Sequence, residues 1–180
     1  TITGDKSLSR RDFSRVTNPL KMFGATLKSK RDQLPVKIRG SQFLRPIEYF
    51  EKLGSAQCKS SVILAALKTP GLTRIKAKKS RNHTELLLKS LKLPIQTSSS
   101  KYFDYIKIKG QNNFGSFNYS VPGDISSCSF FLVLTLLSSN SKLTIKNINI
   151  NKSRIGILKI LNKMNANIFQ KNKKIYKGET

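Results

Sequence analysis

One short polar segment carries the residue types that bind anions at the start of a helix. Gly54 and Ser55 precede Ala56 and Gln57, and an apolar run that predicts a helix follows. The free N–H groups and the dipole of a helix N-terminus favour an anion, and a serine hydroxyl and a glutamine amide can donate further hydrogen bonds. An ordinary serine cap explains the same residues. For this motif alone, capping is the favoured interpretation.

Arginines lie at the turns that follow three predicted strands. They are Arg11, Arg81 and Arg154. The carboxyl ends of parallel strands are where α/β proteins usually place ligands, and a guanidinium there can bind phosphate or carboxylate through two parallel hydrogen bonds. The alternative is a scaffold arginine that binds turn carbonyls, which we expect for Arg154. Asp124, at a second helix start of the same form, is expected to be a cap.

Other kinds of catalytic site are excluded by what the sequence contains. It shows no Ser/His/Asp set, no Gly-rich nucleotide loop and no paired carboxylates at catalytic spacing. Cys58, Cys128 and His83 are too few for a zinc cluster, so we expect no metal site, and the cysteines are expected to be buried in a cytoplasmic protein. The longest apolar run, Phe130 to Leu137, is far shorter than the roughly 20 residues that span a bilayer.

The formal net charge of +25 raises the possibility of a nucleic-acid partner. The cations are 25 Lys and only 9 Arg, although Arg is the residue suited to bidentate contacts with phosphates and guanine edges. A biased base composition would produce the same lysines on solvated faces. We therefore expect no nucleic-acid partner, and a basic nucleic-acid-binding module is kept as the alternative function.

An internal repeat with an offset of 71 residues organises the chain. Residues 55–72 align without gaps on residues 126–143. Each unit is predicted to run strand, helix, strand, helix, strand, strand, which indicates an α/β (α+β) class with parallel pairings in mixed sheets. About two and a half units are present: a half unit at 1–40, a full unit at 41–110 and a further unit at 122–180.

The repeat predicts the positions of individual elements. In the full unit they are a helix from Ser55, a strand at 72–77, a helix at 84–91 and strands at 94–97 and 102–109. In the last unit they are a helix from Ser126, a strand at 143–148, a helix at 155–164 and strands at 167–170 and 174–177. The half unit is expected to hold a strand ending at Thr3, a helix through Phe23 and strands near 25–28 and 34–39. The Gly- and Asn-rich stretch at about 111–121 is expected to be a linker.

Five motifs follow one another along the chain. They are Gly4-Asp5-x-Ser7-Leu8-x-x-Arg11 with Arg15-Val16, Ser55-Ala56-Gln57-x-Lys59-Ser60, Ser80-Arg81-x-His83-Thr84-Glu85, Gly123-Asp124-x-Ser126-Ser127 and Asn151-x-x-Arg154. In this order and spacing they resemble the 5-enolpyruvylshikimate-3-phosphate synthase family. The resemblance covers all 180 residues. It implies the enolpyruvyl transferase fold of repeated βαβαββ units in two globular domains, with residues 1–121 in the first and residues 122–180 starting the second.

The resemblance also implies an activity and the residues that bind its substrates. The family transfers the enolpyruvyl group of phosphoenolpyruvate to the 5-hydroxyl of shikimate 3-phosphate, a step of aromatic amino-acid biosynthesis, without a cofactor. By position, Arg11 matches the arginine that binds phosphoenolpyruvate. Ser55 and Ala56 match residues at shikimate 3-phosphate, and Gln57 matches the glutamine that reaches both substrates. Ser80 and Arg81 match a further contact with shikimate 3-phosphate.

The chain departs from the family pattern in two ways. Asp12 and Phe13 follow Arg11 where the family has Pro-Met, so the register with Arg10 stays open. The family's N-terminal Lys/Ser/Arg motif, its Gly-Asn-rich loop, its catalytic Asp and its C-terminal Arg and Lys residues have no counterpart in these residues. We therefore assign no catalytic residue, and we expect an internal fragment that is inactive alone, from a protein that is a monomer when complete.

A second enzymatic alternative is the related enolpyruvyl transferase that acts on a UDP-amino sugar. It shares the fold that the resemblance implies. The Ser55-Ala56-Gln57 and Ser80-Arg81-x-His83 motifs argue against it. Neither cysteine lies in a loop like that enzyme's reactive-cysteine loop.

Overall fold

The computed structural model describes residues 1–110 and 115–180, which fold into helices and strands in alternation. The helices are α1 (Ser14–Met22), α2 (Ala56–Leu67), α3 (His83–Ser90), α4 (Ile125–Leu137) and α5 (Gly156–Lys163). The strands are β1 (Thr26–Lys30), β2 (Gln33–Arg39), β3 (Glu48–Glu51), β4 (Leu72–Lys78), β5 (Ile95–Ser99) and β6 (Phe103–Lys109).

Contacts divide the chain into two compact units. The first holds Thr1–Ser80 and Lys92–Phe114, of which 111–114 lie outside the described residues, and the second holds Arg81–Leu91 and Gly115–Thr180. Helix α3 therefore belongs to the second unit, although it follows β4 in the chain. The predicted linker at 111–121 lies partly outside the described residues, and the predicted domain division after residue 121 stays a prediction.

A four-stranded mixed sheet forms the core of the first unit. Its strand order is β3-β4-β6-β5, with β3 parallel to β4 and the other neighbours antiparallel. Strand β4 alternates strictly, so that Thr73, Ile75 and Ala77 are buried on one face. Helix α2 packs on β4 and β6 and buries Val62, Ile63 and Ala66 almost completely. Burial of this apolar area is the main stabilising term for the sheet.

The observed order of elements within residues 41–110 is the predicted one. Strand, helix, strand, helix, strand and strand follow one another as β3, α2, β4, α3, β5 and β6. Each observed boundary lies within two residues of its prediction, because alternating and helical apolar patterns are strong signals in this segment. The mixed α/β class is confirmed, and residues 41–110 show one βαβαββ order of elements.

A hairpin and one helix form the remaining part of the first unit. Strands β1 and β2 pair antiparallel, and their buried residues Leu27, Leu34 and Val36 pack with Phe13 and Leu20. Helix α1 contacts both β1 and α2. The helix and the two strands of the predicted half unit are confirmed, whereas the expected strand at Thr3 is reduced to an isolated bridge between Ile2 and Val36.

The second unit contains helices where they were predicted and lacks the predicted strands. Helices α4 and α5 lie within the expected ranges. The strands predicted at 143–148, 167–170 and 174–177 are wrong: among the described residues these segments form only isolated bridges, Gly123 with Ile148 and Tyr176 with Glu179. An alternating pattern makes a strand only when neighbouring strands accept its backbone hydrogen bonds, as β3 and β6 do for β4.

Helix α4 leaves much of its apolar surface exposed. Phe130, Leu134 and Leu137 are 78%, 63% and 81% exposed, whereas Ile125 at its start is 4% exposed. No helix formed by residues 1–110 or 115–180 is long and apolar enough to cross a membrane.

Candidate functional site

Two loops leave the sheet of the first unit side by side at one edge. In the parallel pair, Glu51 is in register with Ala77, so β3 and β4 end at the same edge. The first loop leads to α2 and the second leads to Ser80. The carboxyl edge of parallel strands is the usual place for a ligand in α/β proteins.

The loop between β3 and α2 is held by a buried carboxylate. Glu51 is 1% exposed, and its two oxygens accept hydrogen bonds from the N–H groups of Leu53, at 2.9 Å, and Gly54, at 2.7 Å. Gly54 has a φ of +73°, a left-handed conformation that glycine adopts without steric cost. Glu51 and Gly54 together set the direction from which the chain enters α2.

Ser55 caps α2, as the favoured interpretation of the motif predicted. Its hydroxyl accepts a hydrogen bond from the N–H of Cys58 at 3.3 Å, and this contact satisfies one of the free donors of the first turn. The side chain of Gln57 is exposed and Ala56 is half-buried. Ala56 and Gln57 lie in the first turn, where N–H groups have no acceptor within the helix and the dipole favours a negative charge.

Ser80 lies at the same edge, and its hydroxyl has no hydrogen-bond partner in residues 1–110 and 115–180. Its oxygen is buried and no described residue forms a hydrogen bond with it. A Cβ added at Gly54 would lie 3.5 Å from the carbonyl oxygen of Lys79, so the residues before Ser80 run close to the loop that enters α2. A buried hydroxyl without a partner costs free energy, and a bound anion would remove that cost.

A buried cation lies one turn into α2. Lys59 is fully buried, and its Nζ lies 3.9 Å from Oδ2 of Asp104 in β6. Asp104 also accepts a hydrogen bond from the Ser99 hydroxyl at 2.6 Å. A cation that is removed from water needs a carboxylate nearby, and this pair ties the first half of α2 to the sheet.

Arg11 also lies in the first unit, in the segment that precedes α1. It is exposed and follows the 3₁₀ turn Leu8–Arg10. The neighbouring Asp12 carboxylate accepts hydrogen bonds from the hydroxyl of Ser14 at 2.9 Å and from its N–H at 2.7 Å, at the start of α1. These hydrogen bonds, the hydroxyl's first, hold the pKa of Asp12 below its usual range, so a negative charge remains beside Arg11. Arg10 is also exposed, and both registers stay open.

The arginines of the two strand-to-helix turns behave differently. Arg154 binds Asp124 and, at 2.7 Å, the hydroxyl of Ser126. Asp124 in turn caps α4 by accepting from the N–H of Ser126, and that backbone hydrogen bond is the largest influence that lowers its pKa. The cap expected at Asp124 is observed, whereas Arg154 binds a carboxylate and a hydroxyl in place of the turn carbonyls that we expected. Arg81, in the second unit, is exposed.

Three acidic residues that make structural contacts were not predicted from the sequence. They are Glu51 in the loop before α2, Asp104 beside Lys59, and Glu179, which contacts His83 in the second unit. Each carboxylate is placed by contacts with other segments or by a loop conformation, and none lies in a recognisable short motif. The only usable signal was Glu51, an acidic residue at the end of an apolar strand and three residues before a glycine.

The described residues offer no group of three or more His, Cys, Asp or Glu side chains that could hold a metal ion. Cys58 is buried, as expected, whereas Cys128 is half-buried. The first turn of α2 and the hydroxyl of Ser80 offer hydrogen-bond donors at the sheet edge, which suit an anionic ligand.

Comparison with known proteins shows the family of the chain. The family model described as EPSP synthase (3-phosphoshikimate 1-carboxyvinyltransferase) matches residues 1–180. The 3-phosphoshikimate 1-carboxyvinyltransferase of Caldicellulosiruptor saccharolyticus is 42% identical over 181 residues, covering 99% of this chain and 42% of its own length. The enzyme of the same name from Streptococcus mutans is 42% identical over 168 residues, covering 92% and 38%.

A solved structure extends the similarity to the fold. The EPSP synthase of Acinetobacter baumannii superposes with a TM-score of 0.82 at 33% sequence identity, covering 98% of this chain and 40% of that one. The chain thus spans about two fifths of the length of these relatives. With its full length matched by the family model and its fold shared with a solved member, this chain belongs to the EPSP synthase family.

Proposed function

We propose that the protein serves as an EPSP synthase, transferring the enolpyruvyl group of phosphoenolpyruvate to the 5-hydroxyl of shikimate 3-phosphate with release of inorganic phosphate. The observation that carries the proposal is the sheet edge where α2 begins and where Ser80 presents a buried hydroxyl without a described partner. Membership of the family supplies the identity of the ligands. The sheet edge is proposed as the binding place of one of them.

Shikimate 3-phosphate is proposed to bind at this edge. The N-terminal turn of α2, with Ser55, Ala56 and Gln57, offers N–H groups and a helix dipole to the phosphate. Ser80 donates its hydroxyl, and Arg81 follows it directly in the chain. In this proposal Glu51 has a supporting role, since its carboxylate fixes the loop that presents Ser55.

Phosphoenolpyruvate is proposed to bind Arg11, with the amide of Gln57 reaching both substrates. Two anions repel each other, and cations and helix N-termini reduce that repulsion while they hold the reacting atoms together. The exposed side chains of Arg11 and Gln57 are available for such contacts. No residue of this chain is assigned the proton transfers.

The remaining predictions follow the same proposal. The reaction is proposed to need no cofactor, and the protein is proposed to be a cytoplasmic monomer with a domain division after residue 121. The match to the family does not favour the nucleic-acid-binding or the UDP-amino-sugar alternative.

The proposed ligand is tested by calorimetric titration of the chain with shikimate 3-phosphate, with shikimate as the ligand that lacks the phosphate. We expect binding of the phosphorylated ligand only. Ser80→Ala should weaken it by roughly threefold to tenfold and Arg81→Ala by about tenfold to a hundredfold, from the usual worth of neutral and charged hydrogen bonds.

Two control variants show whether a loss of affinity is specific to Ser80 and Arg81. Ser98→Ala in β5 and Arg39→Ala at the end of β2 change exposed side chains of the same types, and both should leave the affinity unchanged. Equal binding of shikimate and shikimate 3-phosphate, or equal losses in the controls, would contradict the proposal. Tight, salt-dependent DNA binding without a response to shikimate 3-phosphate would favour the nucleic-acid alternative.

A further inference from the structure

A buried carboxylate near the C-terminus of the chain collects three side-chain hydrogen bonds. Glu179 is 6% exposed. Its Oε1 lies 2.5 Å from Nδ1 of His83. Its Oε2 accepts from the side-chain amides of Asn149, at 3.1 Å, and Asn151, at 2.9 Å. His83 and Glu179 are 96 positions apart in the sequence, so the contact joins distant segments of the second unit.

The chemistry of the cluster fixes the direction of its hydrogen bonds. An ionised carboxylate only accepts, so the hydrogen between His83 and Glu179 is carried by Nδ1. The amide of Asn151 also donates to Oδ1 of Asn82 at 3.0 Å. The network therefore holds two consecutive residues, Asn82 and His83, and these directly follow Arg81.

The backbone around Glu179 is packed tightly on α3. Gly178 has a φ of +80°, and a Cβ at that position would lie 3.0 Å from the carbonyl oxygen of Leu86. The N–H of Ile150 donates to the carbonyl oxygen of Thr180 at 2.8 Å. Glu179 and the segment at 149–151 are thus fixed to each other and to the start of α3.

We propose that Glu179, together with His83 and Asn151, is a positioning group that fixes the turn carrying Arg81. Asn82 and His83 directly follow Arg81, so contacts that hold these two residues also hold the backbone from which the exposed Arg81 side chain projects. A fixed turn holds the guanidinium ready for an anion and reduces the ordering cost of binding. The choice of shikimate 3-phosphate as that anion rests on the proposed function.

Glu179→Gln is the informative substitution because it keeps the shape of the side chain. A glutamine offers one oxygen and one NH₂ group. Whichever way it is oriented, its NH₂ group faces at least one donor among His83, Asn149 and Asn151. Glu48→Gln, at a side chain that is 79% exposed in the first unit, removes the same charge and is the matched control.

The first experiment measures the turn without any ligand. Amide order parameters of Ser80, Arg81 and Asn82 are recorded by NMR in the chain and its variants. We expect values near 0.85 in the unsubstituted chain and below about 0.6 in Glu179→Gln, with α2 and β6 unchanged. The chain has one histidine, so its ring ¹⁵N signals report directly whether Nδ1 carries the hydrogen. An unchanged turn in a folded Glu179→Gln variant would overturn the proposal.

The second experiment asks whether Glu179 acts through Arg81. Titration with shikimate 3-phosphate should show about a tenfold loss in Glu179→Gln and none in Glu48→Gln. In an Arg81→Ala background the loss from Glu179→Gln should shrink below about twofold, because interacting residues are non-additive. Additive losses would show that Glu179 acts independently of Arg81 and would overturn the proposal.

The two experiments separate this inference from the proposed function. If Glu179→Gln loosens the turn and no form of the chain binds shikimate 3-phosphate, the positioning role stands and the substrate assignment falls. If Glu179→Gln fails to fold, His83→Phe gives the same test, since it removes the Nδ1 donor and leaves the carboxylate in place. A rigid turn in His83→Phe would contradict the positioning role.

Discussion

The carboxylate of Glu51 holds the backbone N–H of Gly54 at 2.7 Å, in the loop that leads from β3 to the cap of α2. The same carboxylate also binds the N–H of Leu53. A charged acceptor for two N–H groups makes the loop a preformed structure. This loop is consequently the part of the candidate site that one substitution would disturb most directly.

We predict that Glu51→Gln destabilises the chain and also weakens shikimate 3-phosphate binding. Gln can accept only one of the two hydrogen bonds, and bonds to a charged group contribute about 1.5–3 kcal/mol each. The free energy of unfolding should fall by roughly 1–3 kcal/mol in urea denaturation. Glu48→Gln on the same strand should change it by less than about 0.5 kcal/mol, as surface substitutions usually do. An equally large fall in the free energy of unfolding of Glu48→Gln would contradict the stabilising role of Glu51.

We predict that Lys59, one of 25 lysines in the chain, stabilises the fold. It is fully buried next to Asp104, and Lys59→Met leaves that carboxylate without its cation. We expect a loss of about 2 kcal/mol, below the usual 3–5 for a fully buried pair, because Asp104 keeps its bond from Ser99 and some contact with water. Thermal unfolding of Lys59→Met and of the exposed control Lys78→Met measures the difference. Equal thermal unfolding midpoints for Lys59→Met and Lys78→Met would contradict the prediction that Lys59 stabilises the fold.

Stability is predicted to fall in acid through Glu179. Burial raises the pKa of this carboxyl, but hydrogen bonds from Asn151, Asn149 and His83 lower it more, so the folded pKa lies below the ordinary 4.5. A carboxyl with a lowered folded pKa stabilises the fold fully above its unfolded pKa. That contribution is lost as the pH falls through the folded pKa.

Urea unfolding between pH 3 and pH 7 provides the measurement. The difference in unfolding free energy between the chain and Glu179→Gln should be largest above about pH 5 and should shrink toward pH 3. Glu48→Gln corrects for general acid effects. A difference that stays constant over this range would show that ionisation of Glu179 does not contribute.

The exposed face of α4 is predicted to tolerate polar substitution. Phe130→Ser with Leu134→Ser changes side chains that are 78% and 63% exposed, so little apolar area is returned to water on unfolding. We expect no loss of stability and a lower fluorescence of a bound hydrophobic dye. Ile125→Ser, at a side chain that is 4% exposed, should by contrast destabilise the second unit. Destabilisation by the first pair would show that these side chains are covered in solution.

The sequence predicted the elements of residues 41–110 because each of them has a strong apolar period and suitable neighbours. The strands predicted near 143–148 and 174–177 carry the same alternation, but among the described residues no adjacent strand runs beside them for more than one bridge. Periodicity describes one strand, whereas a sheet depends on pairing between segments. That is why the same pattern was right in one repeat and wrong in the next.

In the candidate site, features set by neighbouring residues were predictable from the sequence, and contacts between distant residues were not. The cap at Ser55 and the cap at Asp124 were predictable, since a helix start is specified by residues next to it. The contacts of Asp104 with Lys59 and of Glu179 with His83 were not, because each joins segments that lie far apart in sequence. The predicted ligand roles of Arg11, Gln57 and Arg81 stay predictions.

The turn from strand to helix occurs at Arg81 and again at Arg154, and the two arginines have different surroundings. Arg154 closes on Asp124 and Ser126, so the later copy carries its own counter-ion. The earlier copy, at Arg81, has its guanidinium exposed. The carboxylate of Asp124 therefore occupies the guanidinium of Arg154, which leaves Arg81 as the arginine of the pair that is open to the anion that we propose.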